Sequence, residues 1–428
     1  MKRLDWSALD APARRRALAR PAQRRDATVT DTVRRILEEV ERDGEGAVAR
    51  WAERLDGAPP RRIVLDAETV DRARAALDER DLEALEFAAD NVRLFHAATR
   101  PQEALVEPHP GLVCRRVWRP IRSAGLYVPG GTAPLFSTLL MLALPAQAAG
   151  VAERTAVTPP AKDGGVHPMM LAAAAICGLE AITLVGGAQA IAALAFGAGV
   201  PRADKIFGPG NAYVAEAKRQ AAELADGPAI DLPAGPSELM VIADAFADPA
   251  VVAADLLSQA EHDADAQVLL VSPSQALIEA ALAEVERQVA TLPRERLARA
   301  ALAEARAVLV RSPEQAAEVA NAYAPEHLSL QVEDTVSLLP LIEAAGTVFV
   351  GRYAAETFGD YVCGPSHVLP TDGAARTWSG VSTASFMTSF VVQEISRAAA
   401  SRLAPEAARL ARLEGLEAHA RAADIRAA

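Results

Sequence analysis

The sequence predicts an α/β protein with two Rossmann-like domains, and three observations carry that expectation. Between about residues 125 and 245, short apolar runs alternate with helical stretches. The same alternation returns from about 249 to 350. Most of these runs are bounded by glycines or prolines, the grammar of βαβ units in a parallel sheet covered by helices. The two blocks share this grammar but not their letters, and no short internal repeat is present.

Residues 1–25 read as a polar, Arg-rich arm with helical character, a solvated helix face. Residues 28–58 and 66–98 read as amphipathic helices, with apolar residues three and four apart. Val113 to Val117 is a short strand. Ser123 to Ala152 carries no charge, yet holds Pro129, Pro134, Pro145 and the Gly130–Gly131 pair. It is too broken for a membrane span and reads as a buried loop and helix. Thr155 to Thr158 is a strand, His167 to Ile176 a helix, Ala181 to Val185 a strand and Gln189 to Phe196 a helix. Lys205 to Phe207 is a strand ending at Gly208-Pro-Gly210, after which Asn211 caps a helix to about Leu224. Leu239 to Ala243 is a strand. In the second block Pro249 to Glu261 is helix, Gln267 to Val271 strand, about 274–304 two helices, and Ala307 to Val310 strand. Pro313 to Ala320 is helix, and His327 to Leu330 and Thr347 to Val350 are strands. Residues 351–390 are loop-like, rich in Gly, Ser, Thr and aromatics. Residues 391–428 read as a helical tail.

A chain of 428 residues with 51% hydrophobic and 23% charged residues has globular composition, which excludes a disordered or fibrous protein. Lys and Arg number 44 against 56 Asp and Glu, so the net charge of −12 disfavours a nucleic-acid partner. Cys114, Cys177 and Cys363 are far apart and form no CxxC pair, which disfavours zinc ribbons and thioredoxin-type chemistry and fits reduced thiols in a cytoplasm. The N-terminus has no apolar stretch suited to a signal peptide. The GxGxxG fingerprint, the P-loop and the Gly-x-Ser-x-Gly elbow are all absent.

Four constellations carry possible chemistry. Gln259 and His262 lie three apart, so on a helix they share a face and either reach one ion or form an ordinary solvent-facing helix end. Glu326-His327 sits behind Pro325 at a strand start. In a strand the two side chains diverge, whereas a bent entry aims both at one pocket, where imidazole suits proton abstraction from an alcohol. Otherwise they are a surface Glu and a packed His. Asp360, in Phe358-Gly-Asp-Tyr361, is either a hard oxygen ligand or a turn cap. His367 follows in Gly364-Pro-Ser-His367. Glu414 and His419 lie in the tail, where His419 alone reads as an exposed helical residue. The glycine turns at Tyr127-Val-Pro-Gly-Gly131, Gly186–Gly187 and Gly208–Gly210 stand where α/β folds place ligands.

Taken together these segments resemble the histidinol dehydrogenase family. The matching stretches are GLYVPGGTAPLFST (125–138), GGAQAIAALAFG (186–197), FGPGNAYVAEAK (207–218), IDLPAGPSE (230–238), LSQAEH (257–262), NAYAPEHL (321–328) and FGDYVCGPSHVLPT (358–371). Glu414 and His419 add a match in the tail. The resemblance spans nearly the whole chain in order. It implies oxidation of L-histidinol through L-histidinaldehyde to L-histidine with two NAD, the last step of histidine biosynthesis, in a homodimer with one zinc per site and swapped arms. By the same resemblance Gln259, His262, Asp360 and His419 are zinc ligands, the last across the dimer. Glu326 and His327 are the acid/base pair. Ser237, Gln259, His262, His327, Asp360, His367, Glu414 and His419 meet substrate, and Tyr127, Gln189 and Asn211 contact NAD. The expected organisation is an arm at 1–25, a first domain of 26–124 with 237–381, a second, NAD-binding domain of 125–236, and a tail of 382–428 that crosses to the partner. One departure is Asp263-Ala264-Asp265, where many relatives carry Pro at the middle position. A zinc hydrolase or a non-catalytic imidazole-binding protein is the competing class, and neither uses NAD.

Overall fold

The computed structural model describes residues 1–20, 27–130, 134–233 and 235–427. Part of the arm (21–25), Gly131 with its two successors, and Ala234 of the IDLPAGPSE stretch lie outside the described residues.

Two six-stranded sheets organise the chain, and each is wound the same way. In the first, the parallel strands Ser123–Tyr127, Glu153–Thr158, Ala181–Leu184, Lys205–Phe207 and Ala229–Ile230 take the order 3-2-1-4-5. In the second, Glu238–Ala243, Gln267–Ser272, Arg306–Leu309, His327–Gln331 and Thr347–Val350 take the same order. This is the order of a doubly wound sheet. An extra strand closes the same edge of each. Arg61–Val64 runs antiparallel to Ala181–Leu184, and Lys2–Asp5 runs parallel to Arg306–Leu309.

Helices cover the faces because the central strands are apolar on both sides. All six residues of Glu238–Ala243 and of Gln267–Ser272 are buried. The uncharged segment resolves into the strand Ser123–Tyr127 and the helix Phe136–Ala149, sunk in the core. No described helix is long and apolar enough to cross a membrane.

Three sequence expectations need correction. The arm is a solvated helix only in part: Ala11–Ala17 has no buried residue, but Lys2–Asp5 is a strand and Trp6 is buried against the second sheet. Residues 26–124 do not group with 237–381. Arg61–Val64 joins the first sheet, the helices Ala27–Asp43 and Glu45–Leu55 pack on Gly187–Phe196, and Glu79–Ala98 packs on Phe136–Ala149. An amphipathic face shows that a helix is covered but not which sheet covers it. Finally, 391–395 is not helical. Met387–Ile395 pairs antiparallel with Leu112–Pro120, which also pairs with Ala104–His109. The tail helices Arg397–Leu413 and Glu417–Asp424 then pack on each other beyond this small sheet.

Candidate active site

The first sheet offers its C-terminal edge. Tyr127 ends the strand Ser123–Tyr127, and its phenol oxygen accepts the Gly187 N–H at 3.2 Å. Gly187 has φ +60, a backbone state glycine adopts without cost. Burial pushes the Tyr127 phenol up to about 12. Gln189 is fully buried, and its Nε2 donates to Asp56 at 3.0 Å, while its Oε1 has no partner among the described residues. Asp56 also accepts the Gly186 N–H at 2.9 Å, and burial raises its carboxyl against these two bonds. Asp56 was missed from sequence, because it looks like an ordinary helix end before Gly57.

One strand over, Gly208 has φ +124, and a Cβ there would lie 2.0 Å from the Tyr127 carbonyl oxygen. Buried Lys218 holds this turn, donating to the Gly208 carbonyl at 2.8 Å and to Asp231 at 2.5 Å. Asn211 caps the next helix, accepting the N–H groups of Tyr213 and Val214, and is itself exposed.

The second sheet offers its opposite, N-terminal edge. The helix Pro313–Tyr323 ends at Ala324 in a left-handed conformation (φ 52), which bends the chain into Pro325 and the strand from His327. The bend brings Glu326 Oε2 to 3.7 Å from His327 Nδ1, with both residues buried. Both side chains lean on one neighbour. The Glu238 N–H donates to Glu326 Oε2 at 2.8 Å, and the Glu238 carbonyl bonds His327 Nδ1 at 3.0 Å. A carbonyl only accepts, so the His327 proton is on Nδ1 and the Nε2 lone pair is free. That Nε2 is buried without a partner among the described residues and faces Asp360 Oδ1 at 3.9 Å. Burial lowers the His327 imidazole to about 4, so it is neutral near pH 7, and burial raises Glu326 well above the carboxylate range.

Asp360 gathers the remaining groups. Its Oδ2 lies 4.0 Å from His262 Nε2, and its carbonyl accepts from His367 Nδ1 at 2.8 Å. His367 Nε2 then accepts from the Thr138 hydroxyl at 3.2 Å, joining the two halves of the molecule. Glu356 was missed from sequence. It lies one helical turn before Asp360 on Glu356–Tyr361, and its Oε1 is 3.6 Å from His327 Nδ1. The four-residue spacing on one helix was the available signal. Burial and neighbouring Asp360 raise its carboxyl.

Gln259 and His262 do not share a regular helix, since Pro249–Ala260 stops between them. The His262 N–H bonds the Gln259 carbonyl at 3.2 Å, so the turn keeps them together. Gln259 is fully buried with neither amide atom partnered among the described residues, while His262 is half exposed. Among the described residues, His262, Glu356 and Asp360 have ligand atoms within 4.8 Å of one another. One imidazole and two carboxylates, with an unpartnered buried amide on the adjoining turn, fit a divalent cation such as zinc. His419 is outside this group: His419 and Glu414 are exposed on the tail of the same chain. Ser237 is half-buried just before the strand Glu238–Ala243, its carbonyl accepting from Gln267 at 2.9 Å. Cys363 is an exposed free thiol.

The family model for histidinol dehydrogenase matches residues 18–427. A histidinol dehydrogenase of Xanthomonas oryzae pv. oryzae is 48% identical over 427 residues, covering 100% of this chain and 99% of its own length. That of Colwellia psychrerythraea is 44% identical, covering 99% and 98%. The crystal structure of histidinol dehydrogenase from Elizabethkingia anophelis matches with a TM-score of 0.94 at 38% identity, covering 100% of this chain and 98% of that one.

Proposed function

The chain belongs to the histidinol dehydrogenase family, and from that premise we propose that it carries L-histidinol through L-histidinaldehyde to L-histidine with two NAD. The observation that carries the mechanism is the unpartnered, buried His327 Nε2, set beside Glu326 and Asp360. NAD, when bound by Tyr127, Gln189 and Asn211, would supply the hydride acceptor for each of the two oxidations. In the first, His327 Nε2 takes the hydroxyl proton of the alcohol as the C–H bond breaks. The imidazolium so formed faces the Asp360 carboxylate, which stabilises it. In the second, Glu326 takes a proton from water as the water oxygen bonds to the aldehyde carbon. The resulting hydrate then loses a hydride and a proton to become the acid.

Gln259, His262 and Asp360 would hold zinc, completed by His419 of the partner subunit in a homodimer with crossed tails. Zinc there would supply a cation that orients the imidazole and amine of the substrate. Ser237, His367 and the partner subunit's Glu414 would complete the substrate pocket. Tyr127, Gln189 and Asn211 would meet NAD, in keeping with the unpartnered Gln189 Oε1 at the sheet's C-terminal edge. We place the enzyme in the cytoplasm, where its free cysteines stay reduced.

The test is to mix protein, histidinol and NAD and follow NADH absorbance. Two NADH per histidinol are expected, with histidine as product. No NADH would leave a hydrolase or a non-catalytic imidazole binder. Supplying histidinaldehyde to Glu326→Gln separates the roles, because that variant should fail on the aldehyde. A normal aldehyde rate would overturn the assignment of Glu326.

A further inference from the structure

Glu238 is the first residue of its strand and is fully buried. Its backbone N–H and carbonyl hold Glu326 and His327 respectively, so the position of this one residue sets both. What fixes Glu238 is therefore part of the geometry of the reaction.

The fixing group comes from the N-terminal arm. Arg20 Nε donates to Glu238 Oε1, and its Nη2 donates to Glu238 Oε2 at 2.8 Å, a two-pronged pair. The same Nη2 donates to the Tyr323 carbonyl at 2.9 Å, and the guanidinium stacks 3.8 Å over the Tyr323 ring. Tyr323 ends the helix whose bend delivers Glu326 and His327. One guanidinium thus ties together the two backbone segments that carry the acid/base pair. Asp372 supports it, donating its N–H to Glu238 Oε1 at 3.1 Å and placing its carboxylate 3.8 Å from Arg20 Nε. The arm delivers Arg20 through the strand Lys2–Asp5, buried Trp6, and a bond from Arg306 to the Ala19 carbonyl at 2.5 Å.

We propose that Arg20 and Glu238 are positioning residues for the reaction, locking the Glu238 peptide so that Glu326 and His327 keep their places. The proposal rests on the acid/base reading of Glu326 and His327 given above. A planar fork is needed because it meets both carboxylate oxygens and a carbonyl in one plane, which a lysine ammonium cannot do. Without the cation a buried carboxylate is strongly disfavoured, so Glu238 would shift and take its peptide with it. Misplacement by about 1 Å can cost on the order of 10²-fold in rate.

The experiment uses the full-length, zinc-loaded enzyme and measures kcat, both KM values and the thermal midpoint. Arg20→Met should lower kcat roughly 10- to 100-fold, with KM for histidinol and for NAD within about twofold. Arg20→Lys should show the same split at roughly 3- to 10-fold, since it keeps the charge and loses the fork. Arg20→Met with Glu238→Gln should recover part of the lost kcat, because no unpaired charge is left buried. Glu326→Gln and His327→Asn are measured beside them. If those two keep full activity, the acid/base reading fails. If they are inactive while folded Arg20→Met and Arg20→Lys keep wild-type kcat, the clamp is overturned and the reading stands. A loss confined to KM also overturns it, as does a double variant with no recovery. If Arg20→Met does not fold, Arg20→Lys decides by the same criteria.

Discussion

Replacing Lys218 with Met breaks an ion pair that is almost wholly out of water, with side-chain exposures of 2% for Lys218 and 0% for Asp231. Exposed pairs are worth little, but removing one partner of a buried pair leaves an uncompensated charge and costs about 3–5 kcal/mol. Asp231 is further committed because its oxygens accept the N–H groups of Gly208 and Leu232, both at 2.7 Å, so it cannot turn away without breaking the Gly208 turn. In a cooperative unit of 150–250 residues, each kcal/mol moves the thermal midpoint by about 2–4 °C. The expected drop for Lys218→Met is therefore roughly 6–20 °C. Scanning calorimetry of the full chain reads it directly, with the Lys218→Met/Asp231→Asn double variant alongside. The double variant should recover more than half of the loss, since Asn keeps an acceptor and sheds the charge. A single variant that melts within 2 °C of the parent, or a double variant no better than the single, would refute the reasoning. The KM for NAD should rise with the same substitution, because the turn that Lys218 holds forms one wall of the proposed nucleotide edge.

Burial holds His96 neutral, with its imidazole lowered from 6.5 to about 4, so its contribution to stability is complete above pH 6.5 and is lost as pH falls through 4. The linked loss is up to about 3 kcal/mol. His96→Leu should flatten the urea midpoint over that range, and an unchanged slope would count against it. In Gly208→Ala the new methyl would meet the Tyr127 carbonyl at 2.0 Å, so little folded protein is expected, and a variant melting like the parent would contradict the packing. Elemental analysis of active enzyme should find about one zinc per chain, and chelation should abolish activity. Co-expressed His262→Asn and His419→Asn chains should regain activity in heterodimers, because one of the two crossed sites is then intact. Verified heterodimers no more active than either variant would rule out the crossed tail.

The two sheets were legible because runs such as Leu239–Ala243 and Gln267–Val271 are apolar on both faces and sharply bounded. Strand Lys2–Asp5 was not, since Lys-Arg-Leu-Asp has no alternation and owes its place to Trp6 and a distant edge. Glu326 and His327 were visible as adjacent letters, but their shared pocket depends on the left-handed Ala324, which no local pattern announces. Glycine turns at strand ends pointed to the C-terminal edge of the first sheet. The other half of the proposed site lies at the N-terminal edge of the second, against the usual placement in α/β sheets. Glu356 and Asp56 went unseen because each earns its importance from residues far away in the chain.

The pairing of Lys2–Asp5 with Arg306–Leu309 also has a consequence in time. The arm is synthesised ahead of its docking edge, which follows about 300 residues later. At roughly 5–20 residues per second, the arm waits on the order of 15–60 s for a partner. Contacts of such sequence separation are slow to close even in the finished chain. The Arg20–Glu238 bond itself spans 218 residues, so bracing of the proposed acid/base pair also waits on a distant contact. A ribosome-bound chain that already has its first sheet would still lack both the strand that begins at His327 and the edge on which the arm docks.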